Sequence, residues 1–335
     1  MMADSVDAAG RGIPIAAIDL GTVSSRLSLA EVEGSRVAAV RKHTVITDLG
    51  EGVDATGLLS PGAIERVAAA CEGFVDEIRA FGAVAVCTTL TSAARDAANG
   101  ELLLERLRGI GLVPQVIPGE VEARLTFLGV ARDLPGEHIA VVDSGGGSTE
   151  VAVGRYDAAA GLLKLERTRS LDIGCRRVTE RFLHGDPPAS DDIARAAAWA
   201  YDQFAPVWGS LARSGAKLLA VGGTVTTLVA MANGLQVYDP AFVHLHELRA
   251  AEIDRCIERM RGLRVEEIKQ LKGIQPKRAH VILAGAVIVR ELMRAAGYDR
   301  LTVSENSILA GLGATVAEVL AGTRTTVGWV PELSR

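Results

Sequence analysis

Two short stretches of the chain carry the same potential chemistry. Asp19-Leu-Gly-Thr-Val-Ser-Ser-Arg26 and Asp143-Ser-Gly-Gly-Gly-Ser-Thr-Glu150 each place an Asp at the end of an apolar run. A Gly/Ser/Thr turn and an alternating run follow. Glycine removes the Cβ that blocks close approach, and successive backbone N–H groups with Ser or Thr hydroxyls bind anions. These groups are Gly21, Thr22 and Ser24 in the first turn and Gly145, Gly146, Gly147 and Ser148 in the second. The preceding Asp offers the hard oxygen that Mg²⁺ prefers. Seven residues beyond each Asp stands a charge: Arg26, suited to a phosphate oxygen, and Glu150, suited to Mg²⁺ or a water.

Three further segments have chemical potential. Thr-Ser-Ala-Ala-Arg95-Asp-Ala-Ala-Asn99 sets Arg95 and Asn99 four apart, the spacing that shares one helix face. A helix opening there after a strand presents amides that favour anions. Pro118-Gly-Glu-Val-Glu122 puts Glu120 and Glu122 at another helix start. Two apart, they point in different directions, and spacing leaves open which faces a site and which complements the helix dipole. Gly222-Gly223-Thr224, between an apolar strand and a helix, makes either a phosphate cradle or an ordinary strand-to-helix connection. His244 and His246 have no third ligand nearby in sequence. Cys71, Cys87, Cys175 and Cys256 form no CxxC pair, so neither a zinc site nor a disulfide framework is indicated. No GxSxG elbow and no P-loop is present.

The elements that must position these residues follow from periodicity. Strands are expected at 13–22, 25–33, 36–46, 83–89 and 113–117, with helices at 61–81, 91–109 and 120–131. Asp133-Leu-Pro-Gly-Glu137 then punctuates the chain. Afterwards strands at 139–144, 149–155 and 162–170 precede helices at 175–183 and 190–213. A strand at 217–221 runs into the double glycine, helical pattern dominates 247–296, and strand 301–304 leads to a last helix at 307–320. Residues 15–30 overlie 139–154 at a constant offset of 124, which places Asp19 on Asp143, Gly21 on Gly145 and Ser24 on Ser148. Two such matches opening domain-sized segments argue for internal duplication, with both turns expected on a shared cleft. The expected domains are 12–134, with the segment from about 307 to 335 packing back on it, and 135–306.

Composition narrows the class. In 335 residues, 48% are hydrophobic and 23% charged, which excludes wholesale disorder. Aromatic residues at 4% argue against stacking platforms for single-stranded nucleic acid. A formal charge of −5 gives no bulk attraction to nucleic acid or an anionic membrane. The apolar run at 279–289, interrupted by His280, is too short to span a bilayer. The polar, acidic start at 1–12 has no signal-peptide pattern, so a cytoplasmic location and reduced thiols are expected.

Segments 19–27, 91–100, 117–124, 143–150 and 222–227 occur in the order found in the exopolyphosphatase and guanosine pentaphosphate phosphohydrolase family, which the chain resembles from about 13 to 321. Segments 237–240 and 272–281 are similar to it as well. The resemblance implies a duplicated actin-like ATPase (ribonuclease H-like) α/β fold, in a short form with two domains flanking a central cleft. It further implies Mg²⁺-dependent removal of the terminal phosphate from inorganic polyphosphate or guanosine pentaphosphate, and commonly a homodimer. By position, Glu122 matches the carboxylate that activates water, while Asp143 and Glu150 match the acids that organise metal and water. Asp19, Gly21, Thr22, Ser24 and Arg26 match a first phosphate loop, and Gly145, Gly146, Gly147 and Ser148 a second. Arg95 and Asn99 match further phosphate contacts, and Gly222, Gly223 and Thr224 complete the expected phosphate-binding set. The sequence departs from the family at Val23, where Asn is usual, at Ser144, where an apolar residue is usual, and at Leu309, where Arg is common. Alternatives are a guanosine pentaphosphate 5′-phosphohydrolase on the same site, a non-catalytic polyphosphate or alarmone sensor, and a sugar or acetate kinase of the same superfold.

Overall fold

The computed structural model describes residues 12–34, 36–208 and 215–335. The reading of the leader at 1–11 and the last residues of the helix expected to reach 213 lie outside the described residues. In chain order the first elements are β1 (Ile13–Leu20), β2 (Ser24–Glu33), β3 (Arg36–Ile46), α1 (Val53–Thr56), α2 (Pro61–Phe81), β4 (Ala85–Leu90), α3 (Ser92–Asp96), α4 (Gly100–Arg108), β5 (Pro114–Val116) and α5 (Gly119–Ala131). They are followed by β6 (Ile139–Ser144), β7 (Thr149–Asp157), β8 (Leu162–Leu171), α6 (Cys175–Phe182), α7 (Ser190–Trp208), β9 (Lys217–Val221) and α8 (Gly223–Ala232). The last are α9 (Pro240–Val243), β10 (His246–Arg249), α10 (Ala250–Met260), α11 (Val265–Ile268), α12 (Ile282–Ala296), β11 (Arg300–Val303) and α13 (Ile308–Leu320).

The chain divides into two compact units. One holds the residues up to Gly136, then Tyr156–Lys164 and Ser307–Arg335; the other holds Glu137–Arg155 and Leu165–Asn306. The first unit is built on a five-stranded sheet of order β3-β2-β1-β4-β5. β1 to β3 are antiparallel neighbours, and β4 and β5 continue in parallel. Strand alternation sends Ala16, Ile18 and Leu20 to one face, where they pack with Ile64, Val67, Phe74 and Leu103 of α2 and α4. Ile15 and Ala17 point to the other face, against Leu125 and Leu128 of α5 and Leu312 of α13. Three layers result, and Asp19 falls on the α5 side. α5 and α13 meet backbone to backbone, because a Cβ on Gly311 would lie 1.9 Å from the Leu125 carbonyl oxygen and one on Gly129 2.1 Å from that of Ser307.

The second unit has a six-stranded sheet, β10-β11-β9-β6-β7-β8. Without β10, its order and directions repeat those of the first, the ribonuclease H-like topology in duplicate. Even the register repeats: Ile15 pairs with Ala30 and Asp19 with Arg26, while Ile139 pairs with Gly154 and Asp143 with Glu150.

Two expectations are corrected. The helix expected over 91–109 is two helices, because Ala97 takes an extended conformation (φ −89°, ψ 125°) between α3 and α4. The stretch expected as helical from 247 begins with the edge strand β10, which pairs with β11. Its four residues are too few to show a period of two. No helix among the described residues is long and apolar enough to cross a membrane.

Candidate functional site

In the first unit the Asp19 hairpin is closed by Gly21 N–H donating to Ser24 O at 3.0 Å. Thr22 O accepts from Gly50 N–H at 2.9 Å, and Val23 O from Thr47 and Asp48 N–H, both at 3.0 Å. The carbonyls are thus spent on the fold, which leaves the amide side of the turn for an anion. Val23 itself is buried, which suits an apolar residue at that position.

Arg26 is not an isolated phosphate ligand. It faces Asp19 across the β1–β2 ladder, and its Nη2 and Nε lie 2.5 and 2.9 Å from the same oxygen, Oδ2. Asp19 is 1% exposed, and its second oxygen, Oδ1, is buried without a hydrogen-bond partner among the described residues.

Glu120 and Glu122, left equivalent by spacing, separate clearly. Glu120 is exposed at the start of α5, whereas Glu122 is buried at 8% exposure. Arg95 Nη1 donates to Glu122 Oε2 at 2.7 Å and to Ile117 O at 3.0 Å. Arg95, expected as a phosphate contact, therefore holds the carboxylate. Asn99 does not share its helix face, because α3 has ended. Its amide clamps one backbone residue instead, accepting from Leu59 N–H at 2.8 Å and donating to Leu59 O at 2.9 Å. Asn99 is thus a structural tie to Leu59, a contact that its expected phosphate role did not anticipate.

In the second unit the turn closes in the same way, with Gly145 N–H donating to Ser148 O at 2.9 Å. Asp143 and Glu150 are both buried and directly opposed across β6 and β7, so their side chains share a face. Glu150 Oε1 accepts from Ser170 Oγ at 2.7 Å. Gly222 precedes α8 with φ +97°, and a Cβ there would meet Asp143 Oδ1 at 2.9 Å. Only glycine satisfies both demands, so Gly222 makes room for Asp143. Gly223 lies under a guanidinium: a Cβ on it would fall 2.2 Å from Arg278 Cζ. Thr224 is buried behind them.

Asp143 and Glu150 fit Mg²⁺, which is typically held by one or two carboxylates plus waters and substrate phosphate oxygens. Among the described residues no group of three or more His, Cys, Asp and Glu is gathered for a metal, so a fully protein-built cage is not offered.

Arg176, Arg177 and Arg278 escaped the sequence reading. Arg176 is buried against Glu180 and His280, at 3.2 and 2.8 Å. Arg177 Nε donates to Gly147 O at 2.9 Å. A signal existed: two arginines in the first turn of a helix oppose its dipole and need a reason to be there.

These features define a class: a duplicated α/β protein with an acid-flanked, carbonyl-satisfied hairpin in each half. The model of the Ppx/GppA phosphatase family matches residues 28–313, and the chain belongs to that family of hydrolases. It is 36% identical over 321 residues to exopolyphosphatase 2 of Mycobacterium tuberculosis, covering 90% of this chain and 98% of the relative. Among solved structures, an exopolyphosphatase-like protein matches with TM-score 0.84 and 32% identity over 92% of this chain and 99% of its own. The Aquifex aeolicus family member matches with TM-score 0.75 and 32% identity, covering 92% and 98%.

Proposed function

We propose that this chain is an exopolyphosphatase that releases the terminal phosphate of inorganic polyphosphate by attack of water. The observation that carries this reading is Glu122, a buried carboxylate gripped by Arg95 in a phosphatase-family chain. Similarity to exopolyphosphatase 2 along nearly the whole chain supports polyphosphate as the substrate.

In this reading Glu122 orients the water and takes its proton, a contribution of about 10²–10⁴-fold. Arg95 fixes the rotamer of Glu122. The amide side of a hairpin is a seat for phosphate oxygens, offsetting the charge that builds on them, where most phosphoryl-transfer catalysis lies. Asp19 keeps Arg26 extended along the first hairpin. Asp143 and Glu150 would hold Mg²⁺, which supplies positive charge against the phosphate. The shortened polyphosphate is the leaving group.

The deciding experiment measures phosphate release from long polyphosphate, tripolyphosphate, guanosine pentaphosphate and ATP in parallel, with Mg²⁺ and with EDTA. Release from long polyphosphate, lost on chelation, is expected. Preferential release from guanosine pentaphosphate would reassign the substrate. Tight binding without release would make the chain a sensor.

A further inference from the structure

The second hairpin has its carbonyl side closed by a single helix. Gly145 O accepts from Cys175 N–H at 3.0 Å, and Gly146 O from Arg176 and Arg177 N–H at 2.9 and 3.3 Å. Gly147 O accepts from the Arg177 side chain through Nε–H at 2.9 Å. The backbone donors are the first amides of α6, which a helix leaves without internal partners. Their bonds, at the positive end of the helix dipole, polarise the loop peptides and strengthen the N–H groups on the opposite side.

In a trans peptide the C=O and the next N–H point in opposite directions. Fixing Gly145 O therefore aims Gly146 N–H, fixing Gly146 O aims Gly147 N–H, and fixing Gly147 O aims Ser148 N–H. The first two peptides are set by backbone, and the third by one side chain. The first hairpin has no such arrangement: its Thr22 and Val23 carbonyls are held by backbone amides.

We infer that Arg177 is a positioning residue, whose guanidinium, by holding the Gly147 carbonyl, aims the Ser148 amide at a bound phosphate. It is asked to touch no phosphate itself. A cation in the first turn of α6 works against the helix dipole, and the bond to Gly147 offsets that penalty. The inference rests on the phosphate-binding reading of this hairpin.

The test compares Arg177→Ala, Arg177→Lys and, as a control at the far end of α6, Arg181→Ala. It reads kcat and KM on tripolyphosphate and long polyphosphate, orthovanadate affinity by calorimetry, and Tm. Arg177→Ala should lower kcat/KM about 10–100-fold, less than the ~10²–10³-fold lost when a preorganised donor is removed outright, because the Ser148 amide stays and only its aim is lost. It should weaken orthovanadate binding by a similar factor with Tm within a few degrees. Arg177→Lys keeps a donor and should recover most of both, and Arg181→Ala should match the parent. Unchanged kinetics and orthovanadate affinity in Arg177→Ala would overturn the assignment. So would a loss that tracks only the fraction folded. A parent protein that releases no phosphate yet binds tripolyphosphate with the same Arg177 dependence would remove the hydrolase reading and keep this one. A parent that binds none of these anions would end both.

Discussion

At the residue scale, burial and pairing decide roles that spacing leaves open. Glu120 and Glu122 are equivalent in the sequence, yet only Glu122 is buried and held by Arg95. Glu122→Gln keeps the shape and removes the proton acceptor. It should cut turnover at least 10²-fold while tripolyphosphate affinity changes less than about threefold, read by steady-state kinetics and calorimetry. Asn99 provides the contrasting case. Its amide satisfies both backbone groups of Leu59, so Asn99→Ala strands two polar groups and should cost about 1–3 kcal/mol in urea unfolding, with KM unchanged. A raised KM at full stability would restore Asn99 to the phosphate site.

At the element scale, close backbone approach governs. Gly311 sits where any side chain would strike the Leu125 carbonyl of α5. Gly311→Ala should therefore cost about 1–3 kcal/mol or more, seen as a lower Tm, whereas alanine usually improves a helix. Gly222→Ala meets both a left-handed backbone and Asp143 Oδ1 and should abolish turnover with a smaller loss of stability. The strands, most helices and the duplicated hairpins were legible in the sequence, because apolar periodicity and the repeated Asp–Gly–Ser pattern are local signals. The break at Ala97 and the strand β10 were not. The first is set by Asn99 reaching Leu59, forty residues back, and the second by pairing with β11, both long-range contacts. The Asp19–Arg26 bridge escaped for a similar reason. Seven-residue spacing says nothing until the hairpin register sets the two opposite each other. Leu309, where the family commonly has Arg, is a buried core position here, packed with Ile308 and Leu312.

For the whole molecule, the four described cysteines are all buried and none is in a disulfide. Burial pushes the Cys71 and Cys87 thiols from 9.0 up to about 12. Neither should react with iodoacetamide at pH 8 in the folded protein, by mass spectrometry. Below pH 9 both folded and unfolded chains keep these protons, so the thiols add no pH dependence. Between pH 9 and 12 the unfolded chain loses them while the folded chain retains them, so stability should fall as pH rises. Burial raises the Tyr298 hydroxyl in the same direction. Urea midpoints at pH 8, 9.5 and 10.5 should decline in step, and a Cys71→Ala/Cys87→Ala double variant should flatten part of that slope. Midpoints unchanged to pH 10.5 would contradict it.

One unit draws on three separate stretches of chain, the last being Ser307–Arg335, and α13 within it covers a face of the β1 sheet. A ribosome reading from the start therefore delivers the beginning of that unit first and its closing helix last. Everything from Glu137 to Asn306 for the other unit emerges before it. The later-encoded sheet is then the earlier one able to complete its core, and the opening strands keep the α13 part of that face uncovered until the segment Ser307–Arg335 is made. A stop codon placed just before Ser307 would strip that cover from strands made long before it.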